Sequence, residues 1–169
     1  MEKNIVLIGM MGCGKTTVGG LLARRLGRPL ADTDVLIERR QGRSIPDIFA
    51  QDGEERFRAL ELELGRELGR RSGLVVACGG GLPLRDGAIA ALKESGLVFW
   101  LDRDPAETYD GLDVSGRPLA QAGPEDFIRR YQDRAPVYRR WADYAIPCGD
   151  GPQAAERLIS TIYQEVSKP

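Results

Sequence analysis

Residues 9 to 16 read Gly-Met-Met-Gly-Cys-Gly-Lys-Thr, the G-x-x-x-x-G-K-[ST] spacing of a phosphate-binding loop. Gly9, Gly12 and Gly14 let the backbone turn so tightly that its N–H groups converge on an anion, helped by the positive end of a following helix. Gly12, Cys13, Gly14, Lys15, Thr16 and Thr17 are the expected nucleotide contacts, with Lys15 reaching the β- and γ-phosphates and the Thr16 hydroxyl on Mg²⁺. Further polar positions are Asp32 and Asp34, the run Gly79-Gly80-Gly81, and Arg58, Arg117 and Arg134. Arginine's planar fork grips carboxylates and phosphates in bidentate fashion, so several arginines near a phosphate loop point to an anionic second substrate besides ATP. With an aspartate to accept hydroxyl hydrogens, the set describes a small hydroxylated acid held with one hydroxyl aimed at the γ-phosphate.

Such residues act together only if the intervening elements bring them to one edge of a sheet. The apolar run Ile5 to Ile8 reads as a strand buried on both faces, and Val18, Leu21, Leu22 and Leu26 recur at helical spacing after the loop. Leu30 to Asp34 reads as a second strand, whose alternation points Asp32 and Asp34 the same way, and towards the phosphate loop if that strand lies beside the first. Val35 to Gln41 reads as a helix, Ser44-Ile-Pro-Asp47 has a capping-box spacing, and Asp52-Gly-Glu-Glu55 opens another helix. Phe57, Leu60, Leu64 and Leu68 stripe that helix and leave Arg58 free to enter a cleft. Leu74 to Cys78 is a third buried strand running into the three glycines, where a bare backbone permits close approach at a strand's carboxyl end.

A helix from about Arg85 to Ser95, a strand from Leu97 to Leu101 and a short helix capped by Asp104 follow. Residues 111 to 123 lose periodicity around Arg117, as a lid would. A helix runs from Pro124 to Arg134 until Ala135-Pro136 interrupts it; Tyr144 to Cys148 is a fifth strand, and Pro152 opens a last helix to about Val166. Strands alternating with helices imply parallel crossovers, hence a three-layer α/β nucleotide-binding fold over one domain, residues 1 to 169.

Composition narrows the function. A net charge of −1 supplies no basic face for nucleic acid, and no apolar run is long enough for a membrane span. The first strand begins too soon after Met1 for a signal peptide, so a cytoplasmic protein is expected. The 3 cysteines form no C-x-x-C pair, and Cys13 reads as a small loop-filling residue rather than a reactive thiol. With 0 histidines, acid–base work falls to carboxylates or substrates.

The chain resembles the shikimate kinase family, through Gly9-Met-Met-Gly-Cys-Gly-Lys-Thr-Thr-Val-Gly19, Asp32-Thr-Asp34, Gly42-Arg-Ser-Ile-Pro-Asp-Ile-Phe49, Gly53-Glu-Glu-Arg-Phe-Arg58, Gly79-Gly-Gly81, Arg117-Pro-Leu119 and Arg134-Ala-Pro-Val-Tyr138. The resemblance implies a phosphate-loop fold with a five-stranded parallel sheet and a mobile lid, and transfer of the ATP γ-phosphoryl to the 3-hydroxyl of shikimate in aromatic amino-acid biosynthesis. It implies that Lys15 and Thr16 serve ATP and Mg²⁺, that Asp32 supports the metal through water, and that Asp34 holds the hydroxyls of shikimate. Arg58 and Arg134 would hold its carboxylate, Gly79 to Gly81 would pack on its ring, and Arg117 would swing in with the lid as a third catalytic residue beside Lys15 and Asp34. Gln153 would lie by the adenine, and the protein would be a monomer.

The chain departs from the family at Asp110 and Asp113, where an arginine usually stacks on adenine, and at Gly20, where many relatives carry a basic residue. A carboxylate supplies no such stacking, which leaves base preference open. Blander readings exist too: Asp32 and Asp34 as helix caps, Arg58 paired with Glu54, Glu55 or Glu61, Arg134 on a solvated basic face, and the glycines as a mere turn. Rival functions are a kinase for another sugar acid such as gluconate, or a nucleotide-binding regulatory module without catalysis.

Overall fold

In the computed structural model, which describes residues 2–115, 120–149 and 152–167 (side chains from 155 in the last stretch), five parallel strands form one sheet in the order β2-β3-β1-β4-β5. The strands are β1 (Asn4–Ile8), β2 (Leu30–Asp32), β3 (Val75–Ala77), β4 (Gly96–Arg103) and β5 (Tyr144–Cys148). The helices are α1 (Lys15–Leu26), α2 (Thr33–Gln41), α3 (Ile45–Gly69), α4 (Asp86–Ser95), α5 (Pro105–Asp110), α6 (Pro124–Trp141) and α7 (Pro152–Val166). All five residues of β1 are buried, because helices cover both faces. Ile5 and Leu7 face α1 and α7, with Val18, Leu22, Leu158 and Ile162; Val6 and Ile8 face α3, α4 and α6, with Leu64, Leu92 and Phe127. These are the three layers expected of an α/β fold.

Three expectations are corrected. The second strand does not lie beside the first: β3 and β4 flank β1, and β2 pairs with β3 through Asp32↔Ala77. That strand also stops at Asp32, whose side chain accepts from the Asp34 and Val35 N–H groups and so caps α2, which starts at Thr33. Asp32 and Asp34 therefore share a site through a strand-to-helix turn, not through strand alternation. Finally, Ala135-Pro136 does not end a helix. α6 continues through Pro136 to Trp141 because burial of Phe127, Ala135 and Tyr138 outweighs the hydrogen bond that proline forfeits.

α3 holds the two helices expected on either side of Gly53, which meet at a kink where Gly53 takes a non-helical conformation (φ 81, ψ 169). Its second half carries Arg58 and crosses α4 almost backbone to backbone. A Cβ on Gly65 or Gly69 would meet Ala88 Cβ at 2.7 Å and the Ala91 carbonyl oxygen at 2.6 Å. At the opposite end of the sheet, buried Asn4 donates to the Arg71 carbonyl (2.8 Å) and Ser95 Oγ (2.9 Å) and accepts from Leu74 N–H (2.9 Å). Asn4→Ala strands these partners and should lower stability by about 1–3 kcal/mol, measured by denaturant unfolding, while turnover at 25 °C stays at the wild-type rate.

Candidate active site

The site begins where β1 ends. Gly9, Gly12 and Gly14 have φ of 145°, 80° and 98°, backbone that other residues rarely adopt, and Gly14 leads into α1 with no side-chain cap. The first N–H groups of α1 are thus left for an anion. Lys15 Nζ lies across this loop, donating to the carbonyls of Gly9 (2.8 Å) and Met10 (2.7 Å). Cys13 turns its buried side chain into the core with Val18 and Cys148, which bears out the loop-filling reading. Gly12 also supports the chain before the lid: a Cβ there would meet Leu112 Cδ1 at 2.7 Å and Thr108 Cγ2 at 3.3 Å.

A cleft of about 230 Å³ joins this loop to the aspartates and the glycine run; Gly12, Gly14, Lys15, Thr16, Thr17, Asp32, Asp34, Cys78, Gly79 and Gly80 line it. Thr16 Oγ1 donates to Asp32 Oδ2 at 2.6 Å, while Oδ1 of the same carboxylate caps α2. Capping and site roles are thus compatible: one oxygen orients the helix, and the other stands beside the phosphate loop. A hydroxyl and a carboxylate are hard oxygen donors, a set that suits Mg²⁺ shared with phosphate and water.

The three glycines are not a turn forced by positive φ, since none of them has one. What each lacks is a Cβ. On Gly79 it would strike Asp34 Oδ1; on Gly80 it would lie 3.4 Å from Arg134 Nη1 and 3.2 Å from the Met11 nitrogen; on Gly81 it would strike the Arg58 guanidinium. The three side chains singled out for an acid substrate thus each abut one glycine. Gly81, Arg58 and Arg134 do not line the cleft beside the phosphate loop but continue from it along this run.

Arg58 and Arg134 are each 5% exposed, so neither belongs to a solvated face. Arg58 bonds Glu61 (2.6 Å) and Glu54 (3.0 Å), the pairing of the blander reading, yet inside the site. Burial opposes its charge, but Glu61 and Glu54 prevail and raise its pKa above the usual arginine value. Arg134 Nη1 is buried with no protein hydrogen-bond partner, an arrangement that suits an anion.

Glu61 is the site residue that sequence reasoning missed; its only signal was the i, i+3 spacing from Arg58. At 1% exposure, burial pushes its carboxyl up to about 7, against the lowering by Arg58 and Arg134 and with added repulsion from Asp34. A raised carboxylate pKa means the folded protein holds a proton that the unfolded chain has released. Stability from this group is therefore full below about 4.5 and falls as pH rises through 7. Thermal unfolding between pH 5 and 8 should show this fall, and Glu61→Gln should flatten it; parallel curves would refute the assignment. Thr33 was also missed: fully buried, it accepts the Gly79 N–H at 2.8 Å and pins the glycine run to α2.

Asp110 is exposed at the end of α5, and Asp113 accepts from the N–H and Oγ of Ser115 within its own turn. Arg117 and the Gln153 side chain lie outside the described residues.

Parallel sheet, phosphate loop and acceptor cleft define a phosphate-loop kinase of small molecules. Comparison with known proteins narrows this further. A family model described as shikimate kinase matches residues 11–166. A shikimate kinase of Symbiobacterium thermophilum is 49% identical over 129 residues, 75% of this chain and 74% of that protein. Another, of Thermodesulfovibrio yellowstonii, is 39% identical over 169 residues, 98% and 97% of the two. The solved structure of shikimate kinase from Acinetobacter baumannii in complex with shikimate matches with a TM-score of 0.88 at 40% identity, covering 97% of this chain and 92% of that one. The chain belongs to the shikimate kinase family.

Proposed function

We propose that this chain transfers the γ-phosphoryl group of ATP to the 3-hydroxyl of shikimate, giving shikimate 3-phosphate and ADP, a step of aromatic amino-acid biosynthesis. The observation that carries the acceptor assignment is the pairing of each successive glycine with one acid-binding side chain: Gly79 with Asp34, Gly80 with Arg134, Gly81 with Arg58. A carboxylated ring laid on that bare backbone would meet two buried guanidinium groups for its carboxylate and one carboxylate for its hydroxyls. The A. baumannii relative, solved with shikimate, supports the same substrate here.

Phosphoryl transfer asks mainly for alignment and for charge against the γ-phosphoryl oxygens. The phosphate-loop amides of Gly12 to Thr17 hold the β- and γ-phosphates, and Lys15 supplies fixed positive charge. Thr16 and Asp32 would hold Mg²⁺, which neutralises charge shared between the phosphates. Asp34 orients the attacking hydroxyl and takes its proton. Arg117, carried by a lid about residues 111–123, would swing in towards the phosphates, and Gln153 would border the adenine. The chain would work as one domain over residues 1–169, as a monomer in the cytoplasm. In keeping with this, no helix among the described residues is long and apolar enough to cross a membrane.

The decisive assay follows ADP release with ATP and Mg²⁺ against shikimate, gluconate and quinate. Shikimate-dependent turnover is expected. Turnover with gluconate alone would move the substrate elsewhere, and ATP binding without turnover on any acid would make the protein a regulatory module.

A further inference from the structure

Tyr138 is fully buried, and its hydroxyl stands where three parts of the site meet. It donates to the Gly80 carbonyl at 2.7 Å and lies 3.6 Å from Met10 Sδ in the phosphate loop. The Arg134 guanidinium, one helical turn earlier on α6, abuts the same glycine, its Nη1 lying 3.4 Å from where a Gly80 Cβ would be. The Met10 carbonyl in turn accepts from Lys15 Nζ at 2.7 Å, and the Gly80 backbone rests against the Met11 nitrogen. This meeting exists only because α6 runs unbroken through Pro136, which puts Arg134 and Tyr138 on one face.

Resting on the acceptor site proposed above, we infer that Tyr138 is a positioning residue of the reaction: its hydroxyl sets the Gly80 peptide, against which the Arg134 guanidinium packs, for the acid, and ties that peptide to the phosphate loop. The physical basis is donor and acceptor accounting. The hydroxyl proton goes to Gly80, which fixes that peptide plane. Gly80 in turn lies against Arg134 Nη1, which is buried with no protein hydrogen-bond partner, so a fixed Gly80 peptide sets where that nitrogen meets the acid. Burial pushes the phenol up to about 12, against the lowering by Arg134, so the group remains a donor across the working pH range. Trp100, with its ring centre 5.9 Å away, holds the Tyr138 ring independently of the hydroxyl.

Tyr138→Phe removes the hydroxyl and keeps that packing. Relative to wild type, we expect the KM for shikimate to rise about tenfold, as loss of one well-placed hydrogen bond implies. The KM for ATP should change less than twofold, and kcat should fall less than the shikimate KM rises. In an Arg134→Lys background the same substitution should have a smaller effect, because the guanidinium that Gly80 helps to place is already gone. An unchanged shikimate KM, or equal effects in both backgrounds, would overturn the inference while wild-type turnover kept the function intact; wild-type protein inactive on shikimate would defeat the function itself. Amide exchange of the wild-type protein gives a reading that needs no variant. Adding shikimate alone should slow exchange in residues 10 to 13, and exchange left unchanged there would overturn the tie to the phosphate loop.

Discussion

Asp34→Asn should lower kcat by about 10²–10⁴-fold while ATP binding, measured by calorimetry, stays within a factor of two of wild type. On the proposed function this carboxylate accepts the acceptor's proton, since the chain has 0 histidines and Asp34 lines the cleft beside Lys15 and Thr16. Asparagine keeps the shape and one acceptor oxygen but cannot take a proton at neutral pH. Gly79→Ala gives an independent view of the same group. Its Cβ would strike Asp34 Oδ1 and crowd Glu61 Oε1, so it should reproduce much of the loss without changing the chemistry of any polar side chain. Full activity in both variants would remove Asp34 from the chemistry.

Lys15→Ala should cost about 10³-fold in kcat, the scale set by deleting one fixed donor to a developing charge. Lys15 is only 8% exposed and donates to two carbonyls and the Cys13 sulfur of its own loop, so its ammonium is held near the phosphate site before nucleotide arrives. The substitution also frees the Gly9 and Met10 carbonyls, and nucleotide affinity should fall with the rate. Single-turnover kinetics at saturating ATP separate the two effects. A rate within tenfold of wild type would show that the loop amides and the metal suffice.

Much of this site was legible in the sequence because its parts announce themselves locally. The phosphate loop needs positive φ at Gly9, Gly12 and Gly14, and glycine spacing records that demand directly. Gly79 to Gly81 were also visible as backbone left bare for close approach, and they do serve space, not conformation. Arg58 and Arg134 were ambiguous from residue types alone. A helical arginine beside glutamates looks the same whether it faces solvent or a cleft, and only burial to 5% exposure separates the two.

By itself, then, the sequence determined the alternating α/β fold, the phosphate loop and the bare glycine run, since these rest on short-range spacing and backbone preference. Tertiary structure alone decided that β3 rather than β2 neighbours β1, that Glu61 enters the site as a buried carboxylate, and that α6 passes through Pro136 to bring Tyr138 onto Gly80. Each of those outcomes is set by contacts between residues far apart in the chain, where the packing of a whole layer outweighs the preference of any one residue.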